Sequence, residues 1–482
     1  MSAPARPSSP TMVLVVTSAA AFLSSLDLFI VNIAFPAIRT YFPGSDLGQV
    51  SWVLNGYTVV FAAFLALAGR LADRFGHRRL FLLGLGVFTV ASAFCALAPS
   101  VWTLVAARTV QALGAALVMP TSLTLLLAAY PAERRSHAVG AWASIGAVAA
   151  ALGPPVGGLL VELSWHWVFL VNVPVGALAL LVGLRVLREP GTARVGVPDV
   201  LGAGGLVVGV GALAYSLVRA PDDGWVSVPV VSGAALAVVG LAWVVRRSRR
   251  HPVPALELDV LRVPVVATAA LTMAAFTTSF AGMLVVNVLF LTGTWGWPEL
   301  LAGLGMAPGP LVVVVVSRFS ARLAARFGSG PVALVGAVAF ASGSTWWLLR
   351  LGTGQDYWAG MLPGQLMTGL GVGLILPTLS ALVGSALPAH QWGSGSSLIN
   401  TARQAGSVLG VALLVSVIGT HTTGRPEELD ALRAGWVLLA ASAAVAAVLA
   451  AALTVVERRG AALSTGPPAY TLEGPRTTNG GS

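Results

Sequence analysis

Apolar segments of membrane-spanning length recur along the whole chain, and no other feature limits its fold as strongly. Charged residues and Pro or Gly breaks delimit fourteen of them, at 12–35, 50–68, 80–98, 101–122, 138–161, 168–187, 200–219, 226–245, 265–291, 300–317, 331–350, 358–386, 393–418 and 434–456. An α-helix needs roughly 20 apolar residues to cross the hydrocarbon core of a bilayer. Only 10% of the residues are charged, whereas soluble domains typically have about 25%. The sequence therefore predicts an all-α integral membrane protein.

Arginine supplies all 28 basic residues, and its distribution predicts the orientation of the spans. With the N-terminus placed inside and the loops alternating, 21 arginines fall in inner segments, 5 in outer segments and two, Arg108 and Arg403, within spans. Cytoplasmic loops of membrane proteins are enriched in basic residues. We therefore expect an even number of spans in the cell membrane, with both termini cytoplasmic. The net charge of +10 reflects this topology and contact with membrane lipids, not binding of nucleic acid.

The chain repeats itself at long range. GRLADRFG at 69–76 matches ARLAARFG at 321–328 in six of eight positions. Four further pairs are each 257 residues apart: Gly114 and Gly371, Pro120 and Pro377, Pro131 and Pro388, and Gly153 and Gly410. We predict a cytoplasmic N-terminus (1–11), a six-helix half (12–187), an inserted helix pair with linkers (188–262), a second six-helix half (263–456) and a disordered cytoplasmic tail (457–482). Parallel repeats are typical of transporters, whose substrate site lies between the halves.

Asp27 is the one carboxylate placed deep within a predicted span. Ionisable residues at that depth are costly and usually serve function, so Asp27 is the candidate proton carrier. Arg108 and Gln111 share one face of the fourth span, and Arg108 keeps its charge at all pH values of interest. Competition between Arg108 and a proton for Asp27 would make a switch. The alternatives are a permanent ion pair and an arginine that extends to the membrane interface.

Other polar side chains within spans are candidates for lining a central cavity. Besides Gln111 they are Asn32, Asn55, Asn287, Gln365, Asn400, Arg403 and Gln404. Each of them has an equally good alternative, a hydrogen bond between neighbouring helices. Two deep arginines against one deep carboxylate favour neutral or anionic cargo over polycations.

Several classes of function lack their sequence signatures. No two histidines have the spacing of metal ligands on one helix, and Cys95 is the only cysteine, so we predict neither a metal site nor a disulfide. A phosphate-binding loop needs a lysine, and the chain has none. No nucleophile constellation or soluble domain is evident either. The sequence therefore predicts no enzyme and no cofactor, and a proton gradient is the expected source of energy.

Five motifs together resemble the fourteen-span drug/proton antiporters of the major facilitator superfamily, the EmrB/QacA-like group. They are LDLFIVNIAFPAI (26–38), GRLADRFGHRR (69–79), LVAARTVQALGAA (104–116), GPPVGG (153–158) and WHWVFLVNVPVG (165–176). The sequence departs from the usual pattern at Phe29, His77 and Ala112. The resemblance implies the major facilitator fold, with fourteen helices arranged as two six-helix halves plus an inserted central pair.

The resemblance also implies roles for two motifs. In the loop at 69–79, a gating motif of Gly69, Asp73, Arg74, Gly76 and Arg78 would act on the cytoplasmic face, and Asp73 would hold the two halves together in the outward-open state. The second copy has Ala325 at the equivalent position, so the gate would be asymmetric. The alternative is an exposed carboxylate among arginines that anchor the topology.

In the fifth span, Gly153, Pro154, Gly157 and Gly158 correspond to the antiporter motif. The resemblance implies a bend that seals the inner end of the cavity and prevents leak, and the alternative is a simple kink.

These observations predict a proton-coupled efflux transporter. It would act as a monomer and export small lipophilic molecules, such as drugs or antibiotics, across the cytoplasmic membrane. The alternative is a proton-coupled metabolite or nutrient symporter with the same fold, which GPPVGG disfavours.

Overall fold

The computed structural model describes residues 9–190, 196–388, 391–419 and 425–464. In this part of the chain the regular structure is helical, with no strand. The helices of fifteen or more residues, labelled α1 to α14 in chain order, are Pro10–Tyr41, Leu47–Phe75, His77–Ala96, Val101–Ala129, Arg135–Leu163, Asn172–Val186, Val200–Asp223, Val228–Ser248, Pro264–Leu289, Pro308–Phe327, Ser329–Arg350, Leu362–Ala386, Trp392–Ile418 and Arg425–Ser464. The prediction of an all-α fold is confirmed.

Thirteen helical stretches in the described residues are long and apolar enough to cross a membrane. Helix α5 adds a shorter apolar stretch, Val148–Leu163. The chain is therefore a multi-pass membrane protein. Its last helix continues to Ser464, into the segment predicted to be disordered, and 465–482 lie outside the described residues.

Short helical segments adjoin five of the long helices. They are the 3₁₀-helical Ala132–Arg134 before α5, Trp167–Leu170 before α6, the 3₁₀-helical Leu258–Arg262 before α9, the π-helical Phe290–Thr294 after α9, Glu299–Met306 before α10 and the π-helical Tyr357–Met361 before α12. Prolines at Pro264, Pro308 and Pro363 stand at the first or second position of α9, α10 and α12, where the missing N–H costs no helical hydrogen bond.

The two groups of six helices, α1–α6 and α9–α14, share one packing pattern. In the first group α1 packs on α5, α2 on α4, and α3 on both α4 and α6. In the second group α9 packs on α13, α10 on α12, and α11 on both α12 and α14. The remaining pair, α7 and α8, pack on each other, and α7 also contacts α2 and α13. The inserted pair thus covers a seam between the two groups.

Glycines explain why one helix crossing recurs. A Cβ on Gly114 of α4 would lie 2.6 Å from the backbone nitrogen of Phe88 in α3. A Cβ on Gly371 of α12 would lie 2.6 Å from the carbonyl oxygen of Gly336 in α11. Small residues allow such close approach of helix backbones in a membrane. Both crossings therefore require glycine at positions that are 257 residues apart.

The helix ends form two faces of different character. On the arginine-rich face, Arg78 donates to the carbonyl oxygens of Leu184 and Leu187, both at 2.8 Å. On the opposite, aromatic face, the Trp295 indole donates to the carbonyl oxygen of Gly352 at 3.0 Å. Tyr41 lies 5.3 Å from Trp165, centroid to centroid, on the aromatic face as well. Aromatic side chains of this kind are enriched at membrane–water interfaces.

Candidate functional site

A central cavity of about 480 Å³ lies between the two groups of helices. Its walls come from α1, α2, α4 and α5 on one side and from α9, α10, α12 and α13 on the other, with Met306 just before α10. Most of the lining is apolar, and its larger side chains include Leu28, Phe29, Phe61, Met119, Trp142, Phe280, Met283, Leu284 and Met306. Volumes of about 300–1,000 Å³ with few polar groups are typical of sites for small molecules.

The two walls of this cavity use equivalent positions of the repeat. Six pairs of lining residues are each separated by 257 residues: Ser24 and Ala281, Arg108 and Gln365, Met119 and Leu376, Gly146 and Arg403, Ala150 and Ser407, and Pro154 and Val411. The same separation relates the glycines and prolines of the repeat. The cavity therefore lies where the two repeats face each other, which is the position expected of a transport site.

Asp27 and Arg108 form an ion pair behind the wall of the first group of helices. Asp27 on α1 is fully buried, and Arg108 on α4 is 1% exposed. The Gln111 side-chain amide donates to Asp27 Oδ1 at 2.9 Å, and that of Asn172 on α6 donates to the same oxygen at 3.2 Å. Both carboxylate oxygens are thus occupied, as a buried charge requires.

Besides Asp27, groups from α2, from the segment Trp167–Leu170 and from α4 itself hold Arg108 in place. Its Nε donates to the carbonyl oxygen of Val53 at 3.3 Å, and Nη1 donates to Gln111 Oε1 at 2.7 Å. The guanidinium carbon lies 4.1 Å from the centroid of the Tyr57 ring and 5.7 Å from that of Phe169. Stacking of a cation on aromatic faces stabilises it in a site without water. Arg108 also lines the cavity, so it connects Asp27 to the space where cargo would bind.

Sequence reasoning did not assign several residues of this network. Ser92 on α3 accepts from Gln111 Nε2 at 2.7 Å and from Asn172 Nδ2 at 3.4 Å, and Tyr57 and Phe169 pack on Arg108. Asn172 is a polar residue within the motif at 165–176, which is a signal that could have found it. Nothing in the sequence distinguishes Ser92 from the many serines of other spans.

The structure brings four predicted cavity residues to the lining: Asn32, Gln365, Arg403 and Gln404. It places the other four elsewhere, and Gln111 among them belongs to the network around Asp27. Asn287 accepts from the indole of Trp436 at 3.0 Å between α9 and α14, and Asn400 donates to the carbonyl oxygen of Ser396 one turn earlier at 2.8 Å. Asn55 is 1% exposed, outside the lining, and its amide has no hydrogen-bond partner in the described residues. For Asn287 the alternative of a bond between helices is the observed arrangement.

The motif at 153–158 packs α5 tightly against both groups of helices. A Cβ on Gly153 would lie 2.5 Å from Cβ of Phe29 on α1, and a Cβ on Gly157 would lie 3.0 Å from Ile30. A Cβ on Gly158 would overlap the backbone of Glu299 and Leu300, just before α10.

A further close contact joins the same two segments. A Cβ on Gly303 would overlap the carbonyl oxygen of Pro154. These contacts close the space between the groups toward the aromatic face, and not at the inner end that the resemblance implies, because Gly157 and Gly158 lie in the last two turns of α5.

The loop at 69–79 contacts several segments of the arginine-rich face. Gly76 ends α2 with a φ of 104°, a conformation that favours glycine. Asp73 pairs with His77 in its own loop at 3.1 Å. The link to the second group of helices is made by Arg70, which pairs with Glu257, and Glu257 also accepts from Ser394 at the start of α13. This chain of contacts, the Arg70–Glu257–Ser394 bridge, does not include Asp73.

The chain is similar to known export and resistance proteins. The sequence profile described as Major Facilitator Superfamily matches residues 17–317 and 269–473. The "Multidrug resistance protein Stp" of Mycobacterium tuberculosis (strain ATCC 25618 / H37Rv) is 35% identical over 410 residues, which cover 84% of this chain and 75% of that protein. The cephamycin export protein CmcT of Amycolatopsis lactamdurans is 34% identical over 438 residues, 88% of each chain. The methylenomycin A resistance protein of Streptomyces coelicolor is 33% identical over 405 residues, which cover 83% and 84% of the two chains.

Solved structures share the fold. The peptide transporter POT in complex with sulfate has a TM-score of 0.67 at 16% identity and covers 93% of this chain and 94% of its own. Tetrameric PepTSo2 has a TM-score of 0.65 at 17% identity, with coverage of 93% and 99%. At this identity the likeness concerns the fold alone. The profile and the relatives together show that the chain belongs to the Major Facilitator Superfamily.

Proposed function

We propose that this protein exports small lipophilic compounds, antibiotics among them, in exchange for protons. The observation that carries the proposal is the Asp27–Arg108 ion pair, which lies directly behind the wall of a mostly apolar central cavity. The printed names of the relatives, which include multidrug resistance, cephamycin export and methylenomycin A resistance, support this direction of transport and this class of cargo.

In the proposed mechanism, Asp27 exchanges a bound proton for the guanidinium of Arg108. When Asp27 is ionised, Arg108 and the amides of Gln111 and Asn172 satisfy it. A proton on Asp27 removes the charge that holds Arg108, whose side chain then gains freedom at the cavity wall. Because Arg108 lines the cavity, the proton and the cargo bias the same side chain. Such a shared two-state element is what coupling between sites requires.

We further propose the fourteen-span arrangement of the EmrB/QacA-like group, with α5 as the additional span. The arginine-rich face would be cytoplasmic because basic loops stay on that side, and both termini would then be cytoplasmic. Cargo would leave toward the aromatic face as a monomeric transporter alternates between its two openings.

Two sets of contacts would act as the gates. The packing of α5 at Gly158 against the segment before α10 closes the aromatic side. The Arg70–Glu257–Ser394 bridge holds the two groups together on the arginine-rich side. In the conformation described here Asp73 pairs with His77. It would therefore contribute to a gate only in a different conformation.

The experiment begins with drug-susceptibility profiles of a pump-deficient host that expresses the chain, to identify a transported compound. Uptake of that compound into everted vesicles is then driven by an imposed pH gradient. Asp27→Asn should abolish the gradient-driven component, because an amide cannot carry a proton.

Asp199→Asn is the matched control for this experiment. Asp199 is 1% exposed and ion-paired with Arg247 in the inserted helix pair, away from the cavity. Gradient-driven uptake that survives in Asp27→Asn would place the proton site elsewhere. Movement of the compound in the same direction as the proton would indicate the symporter instead.

A further inference from the structure

We propose that Arg403 and Gln404 on α13 bind an anionic group of the cargo, so that lipophilic carboxylates are the preferred substrates. The proposal rests on the proposed function, since it names the substrate class of the same cavity. Its basis is a positive charge in the cavity wall that the described part of the chain does not neutralise.

The two guanidinium groups of the cavity differ in their partners. Arg108 is neutralised by Asp27. Arg403 belongs to none of the ion pairs found among the described residues, and no carboxylate is present in the described lining of the cavity. The cavity thus carries one net positive charge on the wall of the second group of helices.

Hydrogen-bond donors at this position are also unused. Nε of Arg403 and Nε2 of Gln404 are both shielded from solvent and have no partner among the described residues. Gln404 is 6% exposed, and both side chains line the cavity. A buried charge or donor without a partner is costly, and a ligand that accepts these bonds would remove the cost.

The chemistry of the donors selects the ligand group. A guanidinium presents N–H groups in a planar fork that matches both oxygens of a carboxylate. The neighbouring amide of Gln404 adds a neutral donor. An ammonium group would meet like charge at Arg403 and no carboxylate in the described lining, so cationic cargo is disfavoured there.

The rest of the cavity fits an apolar body attached to that carboxylate. The position equivalent to Arg403 in the first repeat is Gly146, and Ala150 is the equivalent of Ser407. These small residues leave space across the cavity, and Phe280, Leu284 and three methionines provide apolar and adaptable contacts. The predicted ligand is therefore an aromatic or aliphatic acid of small-molecule size.

A matched pair of probes tests the charge preference by binding, independently of transport. Naphthylacetate and naphthylacetamide have nearly the same shape but differ by one negative charge. Equilibrium dialysis against the purified full-length protein should show tighter binding of naphthylacetate to the wild type. Arg403→Gln should weaken binding of naphthylacetate about tenfold or more, the range for a hydrogen bond to a charged group, and leave naphthylacetamide within about twofold.

Two further variants keep the test decisive. Arg403→Lys should retain part of the preference, because the charge remains while the planar fork is lost. Gln404→Glu should abolish it, since the new carboxylate would pair with Arg403. Equal affinity of the wild type for the two probes, equal losses in Arg403→Gln, or binding of neither probe would overturn the proposal. Export of neutral compounds could still be intact in each case, so failure here is distinct from failure of the efflux function.

Discussion

Gln365 holds in α12 the position that Arg108 holds in α4, and both side chains line the central cavity. Their partners differ completely. Arg108 pairs with a buried carboxylate, whereas the Gln365 amide contacts the sulfur of Met306 at 3.1 Å and the carbonyl oxygen of Gly305 at 3.4 Å. The repeats therefore share the arrangement of their helices, whereas the ion pair of Asp27 and Arg108 is a feature of the first repeat alone at this position.

Replacement of Arg108 by glutamine should uncouple proton release from binding of the cargo. Arg108 pairs with Asp27 and also lines the cavity, so it is the side chain that both the proton and the cargo bias in the proposed mechanism. Proton release induced by a transported compound, measured on purified protein, should fall severalfold in Arg108→Gln. Gln365→Ala at the equivalent position is the control and should release protons as the wild type does. Undiminished release from Arg108→Gln would show that Arg108 does not connect the proton to the cargo.

The Arg70–Glu257–Ser394 bridge should stabilise the arginine-rich ends of the two groups against separation. Glu257→Gln removes the charge that both partners contact, and hydrogen exchange of backbone amides at the start of α13 should accelerate severalfold. Asp259→Asn is the control, because the Asp259 side chain is 83% exposed and pairs with Arg262 three residues away, and it should have no effect. Equal exchange rates in all three proteins would remove the bridge from the gating scheme.

Gly158→Ala should damage the closure toward the aromatic face. The added Cβ would overlap the backbone of Glu299, which cannot move as easily as a side chain, so α5 and the segment before α10 must separate. We expect a proton leak in liposomes that clearly exceeds the wild-type leak. A Cβ on Gly204 of α7 would meet no atom within 4 Å, so Gly204→Ala should leak protons no faster than the wild type. A wild-type leak rate in Gly158→Ala would mean that the contact does not seal the cavity.

Asp73→Asn should impair export while leaving membrane insertion intact, since the side chain is 45% exposed and pairs with His77 of the same loop. Transport should fall about tenfold if Asp73 contributes to the opposite conformation through a charged hydrogen bond. Ala325→Asp should fail to restore it, because the two loops have different surroundings. Wild-type transport by Asp73→Asn would leave the loop only its role in topology.

Sequence periodicity and spacing predicted the helices and the repeat more fully than the site. Runs of apolar residues and glycines at fixed separation depend on local chemistry, so each of the fourteen runs is helical except for at most two residues. The same patterns do not predict which polar side chains of a helix face the cavity. Asn32 and Asn287 occupy similar places in α1 and α9, yet Asn32 lines the cavity while Asn287 bonds to Trp436. That choice depends on helix rotation and tilt, which neighbouring helices determine.

The bridge through Glu257 shows the same limit. In the sequence, Arg70 is one of several arginines in the loop at 69–79. Its partner Glu257 lies 187 residues away in a linker, and no local pattern connects the two residues. The pair of Asp27 and Arg108 was accessible because both are rare residue types within apolar runs.

The unneutralised guanidinium of Arg403 has an electrical consequence for a transporter that exports anions. One proton moving inward and one monovalent anion moving outward transfer two charges per cycle, whereas a neutral cargo transfers one. A potential of 100 mV contributes about 2.3 kcal/mol for each charge. The largest ratio of outside to inside concentration that the transporter can maintain is therefore about fifty times higher for an anion than for a neutral cargo.

We predict that currents on a solid-supported membrane carry twice the charge per molecule of an exported carboxylate as per molecule of an exported neutral compound. A ratio of one would mean that the cargo crosses without its charge. If two charges cross per cycle, the membrane voltage acts on both of them and the pH difference on the proton alone. Voltage would therefore determine, more than pH, how far this protein can deplete a cell of acidic compounds.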